Sequence, residues 1–199
     1  SRRAAHVPSK PAAMRFGFGA ILPTGLLPAA LLLAAVPADA RDLDVRAMQA
    51  RIESLFTQQA PQLEALYQDL HAHPELGFEE TRTASRLAAE MRTLGFEITE
   101  KVGKTGLVAI LHNGKGPTVM VRTELDGLPV QEESDLPYAS KARGVYNGAE
   151  TFLAHACGHD IHMGSWVGTA RTLVAMKDRW RGTLMFIAQP AEERVRGAK

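Results

Sequence analysis

The sequence predicts an α/β fold, on three observations. Apolar side chains recur at helical spacing over residues 42–71 and 79–94; short β-like runs fill residues 97–123; a helix-spaced run at 162–176 then returns into an apolar strand ending at Gln189. Helices placed before, between and after strands in this way cover a sheet.

The first helix carries Leu43, Met48, Ile52, Leu55 and Phe56 inward, and Pro61 marks a new start for a second segment through Leu63, Leu66, Tyr67 and Leu70. Pro74 ends it, and His71 and His73 at that end are expected to cap or pack rather than to ligate. The next helix turns Ala84, Leu87, Ala88, Met91 and Leu94 inward and closes at Gly95. Three strands follow, at 97–102, 106–112 and 118–123, separated by Gly103, Asn113-Gly114 and Gly116-Pro117. Asn113-Gly114-Lys115-Gly116 is a turn, because neither the dinucleotide nor the Walker glycine spacing is present. The run 118–123 is apolar enough for a central strand and delivers Asp126 to its carboxyl end. Residues 130–153 have no clear period and are expected to form a long loop near a site. The helix at 162–176 buries Val167, Ala170, Leu173 and Val174, and the strand 182–189 is stopped by Pro190.

Composition narrows the function classes. With 45% hydrophobic and 23% charged residues the chain is an ordinary globular protein, and a net charge of +1 gives no electrostatic case for nucleic acid. Its single cysteine excludes an internal disulfide framework. Residues 1–13 are expected to be a disordered leader or an upstream artefact, with Met14 the natural start. Arg15, the apolar stretch 16–36 and the small-residue pattern Ala38-Asp39-Ala40 predict a signal peptide over 14–40, hence an exported, periplasmic or secreted protein free of the membrane after cleavage. An uncleaved anchor is the alternative. In an oxidising compartment a lone thiol is a liability unless it is buried or coordinated.

The chemistry concentrates in two places. His155-Ala156-Cys157-Gly158-His159-Asp160-Ile161-His162 supplies thiol, imidazole and carboxylate groups of the kind that ligate transition metals, and Pro190-Ala191-Glu192-Glu193 places two adjacent carboxylates at the end of a buried strand. Cys157 and His159 are too close in sequence to share a helix face, so they fit a loop or the turn before a helix, where the helix dipole would favour the thiolate. Adjacent glutamates at a strand mouth repel unless a cation or a shared proton holds them, so one ligand and one general base is an economical assignment. A buried Cys beside satisfied histidines, and a solvated acidic pair, are the bland readings of the same residues.

With these stand His71-Ala72-His73-Pro74-Glu75-Leu76-Gly77-Phe78-Glu79-Glu80 and Arg122-Thr123-Glu124-Leu125-Asp126-Gly127-Leu128-Pro129, and the four segments in this order resemble the motifs of the peptidase M20 family. Within it they are similar to the amidohydrolase branch that cleaves N-acyl amino acids, hippurate and auxin conjugates. The resemblance implies a mixed sheet flanked by helices, the zinc-exopeptidase-like catalytic domain, over 41–199 and incomplete at the C-terminus. It implies two divalent ions, of zinc, manganese or cobalt, with Cys157, His159 and Glu193 as ligands, Glu192 as catalytic base and Asp126 supporting the ligands from behind. It further implies a small-molecule substrate and a homodimer formed through a domain not present in this sequence. Glu124 stands where the family pattern has an aspartate, so it is not assigned as a ligand. Because the family's further histidine ligands would lie past Lys199, the chain is expected to be the N-terminal portion of a longer protein, weak or inactive alone. Three other functions remain open on the residues: a thiol hydrolase with Cys157 as nucleophile and His155 or His159 as base, an exopeptidase of the same family, and a non-catalytic metal-binding module.

Overall fold

A computed structural model describes residues 44–198; the segments expected to be a leader, 1–13, and a signal peptide, 14–40, lie outside the described residues. Helix α1 spans Val45–Ala72, α2 Thr81–Thr93 and α3 His159–Ala175. The strands are β1 Glu97–Val102, β2 Gly106–Asn113, β3 Thr118–Glu124, β4 Arg143–Tyr146, β5 Ala149–Phe152 and β6 Gly182–Gln189.

Asp44 starts α1 by accepting from the Ala47 N–H at 2.9 Å. Contrary to the expected break, Pro61 lies inside this single helix. Losing one backbone hydrogen bond at an exposed proline is outweighed because Leu63, Leu66 and Leu70 anchor the second half in the core. The start of α2 is capped from a distance: the Glu75 carboxylate accepts from the N–H groups of Arg82 and Thr83 at 3.0 and 2.7 Å, while the N-cap residue Glu80 makes no cap bond.

Four strands form one mixed sheet in the order β1-β2-β6-β3, with β1/β2 and β2/β6 antiparallel and β3/β6 parallel. The turn at 113–116 is present, but the strands it joins are not neighbours, since β6 lies between them. β3 is an edge strand of this sheet among the described residues, with Val119 and Met120 exposed, not the central strand that its apolar run suggested. Alternation along β2 and β6 buries Leu107, Ala109, Leu111, Leu184, Phe186 and Ala188 against the helices. Phe186 is the centre of this layer, meeting Phe96 and Trp166 edge-on at 5.4 and 5.3 Å between centroids.

The expected loop at 130–153 contains a hairpin, β4 paired with β5 through Asn147-Gly148, both at positive φ (51° and 83°). Among the described residues no helix is long and apolar enough to cross a membrane.

The parallel pairing of β3 and β6 positions the site. Both strands end at the same sheet edge, with Glu124 opposite Gln189 and the Leu125 N–H donating to the Gln189 carbonyl at 3.1 Å. The residues that follow, Asp126 on one side and 190–193 on the other, are thereby neighbours at the carboxyl ends of the strands, where open sheets hold their ligands.

Candidate metal centre

The turn after β6 is held by its backbone. Ala191 adopts a left-handed conformation (φ 49°, ψ 42°) and Glu192–Arg194 form a 3-10 turn. Three consecutive N–H groups point inward to carboxylates. Glu80 accepts from Ala191 at 2.7 Å, and Asp126 accepts from Glu192 through Oδ1 at 3.1 Å and from Glu193 through Oδ2 at 3.0 Å. Asp126 is buried, and burial raises its pKa against the lowering effect of these N–H donors.

His159 opens α3 behind Gly158, whose φ of 77° turns the chain from the Cys157 turn into the helix. Its Nδ1 lies 2.7 Å from the Asp126 main-chain carbonyl. A carbonyl only accepts, so Nδ1 carries the hydrogen and, in the neutral ring, Nε2 presents a lone pair. That nitrogen faces Glu192 Oε2 and Glu193 Oε1, each at 3.7 Å.

These three groups fit a divalent cation. Nε2, Glu192 and Glu193 each place a ligand atom within 4.8 Å of the others. Glu193 Oε1 is buried with no hydrogen-bond partner. A lone pair and two carboxylates aimed at one point repel one another unless a positive charge lies between them. The exposures divide the labour: the Glu193 side chain is 21% exposed and that of Glu192 41% exposed, so the first is the more enclosed and the second reaches solvent.

Cys157 is exposed and stands beside Glu193, yet it does not join either group of three potential ligands among the described residues. The adjacent Glu193 carboxylate pushes its thiol up to about 11, with burial and the charges of Glu192 and Asp126 adding to the effect. The expected bias toward thiolate is therefore reversed, because carboxylates at close range outweigh the partial charge at a helix N-terminus.

A second group joins His159 to Glu124 and His162. Glu124 lies 3.0 Å from His162 Nδ1 and is gripped by Arg122 at 2.6 Å. His159 has one free nitrogen, so it serves one of the two groups at a time. Neither Glu124 nor His162 was assigned from sequence; the i, i+3 spacing of His159 and His162 along one helix was the available signal.

His71 and His73 are in neither group. His73 Nδ1 sits 2.7 Å from the Asp69 carbonyl at the helix end. His71 is bound on both sides, by Asp160 at 2.6 Å and Glu132 at 3.0 Å. Burial draws its pKa down, but the bonds to Glu132 and Asp160 outweigh this and raise it. His155 is buried with both ring nitrogens unpartnered, and burial takes its pKa down to about 4.

Residues 120–199 match the model of peptidase family M20/M25/M40. The chain is 40% identical over 133 residues to N-acetylcysteine deacetylase of Bacillus subtilis, covering 66% of this chain and 33% of that protein. It is 41% identical over 126 residues to thermostable carboxypeptidase 1 of Saccharolobus solfataricus, covering 62% and 30%. The chain thus spans about a third of the length of these curated relatives. The crystal structure of the YxeP protein of Bacillus subtilis, described as a dinuclear metal-binding peptidase of the M20 family, superposes with a TM-score of 0.62 at 36% identity over 73% of this chain and 38% of that one. Four ordered motifs, a catalytic-domain fold and this sequence identity agree: the chain carries, over residues 120–199, a domain of peptidase family M20/M25/M40.

Proposed function

We propose that this chain carries part of a metal-dependent amidohydrolase centre that cleaves the amide bond of N-acyl amino acids or related conjugates. The observation that carries the reading is His159 Nε2 facing two carboxylates at 3.7 Å, with a buried Glu193 oxygen left unpartnered. His159 and Glu193 would hold the ion, Cys157 would join them by exchanging its proton for the cation, and Asp126 would keep the ligands aimed. Imidazole and thiolate suit zinc, while the carboxylates also suit manganese or cobalt. Two ions are proposed, following the dinuclear relative.

A divalent cation in this position supplies Lewis acidity, acidifying water and polarising an acyl carbonyl. Glu192, the more exposed of the pair, takes the proton from the attacking water and later returns it to the leaving nitrogen. Its backbone is fixed by Asp126, so the carboxylate swings from a rigid base. The thiol-hydrolase alternative is disfavoured by a Cys157 thiol held at about 11, which leaves little nucleophile at neutral pH. The deacetylase relative supports an N-acyl amino acid substrate; the carboxypeptidase relative supports a peptide, and the assay below separates the two.

The purified chain, loaded with Co2+ or Mn2+, is offered hippurate, N-acetylcysteine and dipeptides. The expected result is slow, chelator-sensitive release of amino acid from the N-acyl substrates in preference to dipeptides, abolished by Glu192→Gln. Turnover that survives both chelator and Glu192→Gln would contradict the reading. Export is part of the same proposal, resting on the 16–36 apolar stretch and Ala38-Asp39-Ala40; N-terminal sequencing of the protein from cells is expected to begin near residue 41.

A further inference from the structure

Glu80 is fully buried, yet it contributes nothing to the helix that it precedes. Glu75, five residues earlier, takes over the capping of α2. The Glu80 carboxylate is thereby free to reach across the fold, where one oxygen accepts from the Thr105 hydroxyl and the other from the Ala191 N–H at 2.7 Å. Ala191 is the residue before the Glu192-Glu193 pair, and its left-handed backbone is one that an alanine adopts only when its surroundings impose it.

The neighbouring loop is fitted to the same turn. A Cβ on Gly77 would lie 3.0 Å from the Ala191 Cα and 3.1 Å from Asp126 Oδ2, so only glycine lets residues 75–80 lie this close. Glu80 and Asp126 together bind three successive N–H groups, and the negative charge of Glu80 adds to the raised pKa of Asp126. Four hydrogen bonds hold the two buried carboxylates, yet two negative charges side by side still repel, an arrangement unfavourable in isolation. It makes sense beside a cation, which the two buried charges would favour, and as a means of fixing where the next two side chains point.

We infer that Glu80 is a positioning residue for the metal centre: by holding the Ala191 N–H it sets the left-handed turn that aims Glu193 and Glu192 at His159. This inference rests on the metal reading above. It assigns a purpose to a motif, His71 to Glu80, that the proposed chemistry otherwise leaves unused.

The test measures Zn2+ affinity of the chain by competition with a chromophoric chelator, alongside circular dichroism and the 1H–15N resonance of Ala191. Glu80→Ala is expected to remain folded and to lose about 10–100-fold in affinity. Glu80→Gln, which keeps an oxygen for Ala191, is expected to restore most of that loss. The Ala191 amide should shift and exchange faster in Glu80→Ala and not in a comparably destabilising core variant, Leu87→Ala. Should Glu80→Ala fail to fold, Thr105→Val, which removes the other anchor of Glu80, is expected to weaken binding several-fold in a folded protein. Equal Zn2+ affinity in the folded variants and the parent would overturn the inference while leaving the metal reading intact. A folded parent that binds no Zn2+ would overturn both.

Discussion

Asp126 and His159 are joined through the backbone: the imidazole Nδ1 donates to the Asp126 carbonyl at 2.7 Å, while the Asp126 side chain binds the N–H groups of Glu192 and Glu193. One residue therefore fixes the ring on one element and the carboxylate pair on another. Replacing it by alanine leaves two part-buried backbone donors unpaired, at about 1–3 kcal/mol each. Asp126→Ala is expected to lower stability by roughly 3 kcal/mol in urea unfolding and metal affinity by about 10–100-fold. An unchanged affinity in the folded variant would separate Asp126 from the site.

The His71 clamp predicts a pH dependence. Burial lowers the His71 pKa, but its bonds to Glu132 and Asp160 leave it raised above 6.5. Its stabilising contribution is thus complete below about pH 6.5 and is lost as the pH rises through the higher folded value. Burial raises Glu132, but bonds from Ser134, His71 and the Ser140 N–H leave it below 4.5, so its contribution holds above that value and is lost as the pH falls through the lower folded one. His155, held down to about 4, adds an opposing rise in stability centred on its unfolded value of 6.5, which is common to the parent and to His71→Gln and cancels in their comparison. Urea unfolding between pH 6 and 9 should show a decline in stability that His71→Gln flattens. Parallel curves for the two proteins would show that the clamp does not titrate there.

Cys157 should be a poor nucleophile despite its exposure. A thiol at about 11 has roughly a hundredth of the thiolate of an ordinary cysteine at neutral pH. Because a more basic thiolate is also the better nucleophile, iodoacetamide labelling of the metal-free chain is expected to run about 10-fold slower than that of a free cysteine, and Glu193→Gln should accelerate it. Fast labelling would return the thiol-hydrolase reading to contention.

Phe186 is fully buried between Phe96 and Trp166, and truncation to alanine is expected to cost about 3–5 kcal/mol by urea unfolding. A loss under about 1 kcal/mol would mean that the aromatic layer is not packed as described.

What the sequence made legible follows from what it encodes locally. The pairing of Asp126 with the 190–193 turn could be anticipated, because both segments end strands and parallel strands deliver their ends to one edge. The neighbours of a strand are not written in its own apolarity, and β3 lies at an edge although its run resembles a central strand. The hairpin at 143–152 was hidden because its strands are four residues long and mostly polar or exposed, although Asn147-Gly148 was the signal to follow. Pro61 reads locally as a break; only the packing of Leu66 and Leu70 carries the helix past it. The bond from Ala191 to Glu80 spans 111 residues, and nothing near either position announces it. The reversal at Cys157 has the same origin, since Glu193 is distant in sequence and adjacent in space.

The most direct test of the metal centre is a cobalt titration followed by visible absorption. The account predicts saturable binding with a spectrum of ordered nitrogen and oxygen ligation, a sulfur-to-cobalt band removed by Cys157→Ser, and loss of binding in both His159→Ala and Glu193→Gln. A folded chain that takes up no cobalt, or that binds it equally well without His159 and Glu193, would contradict it.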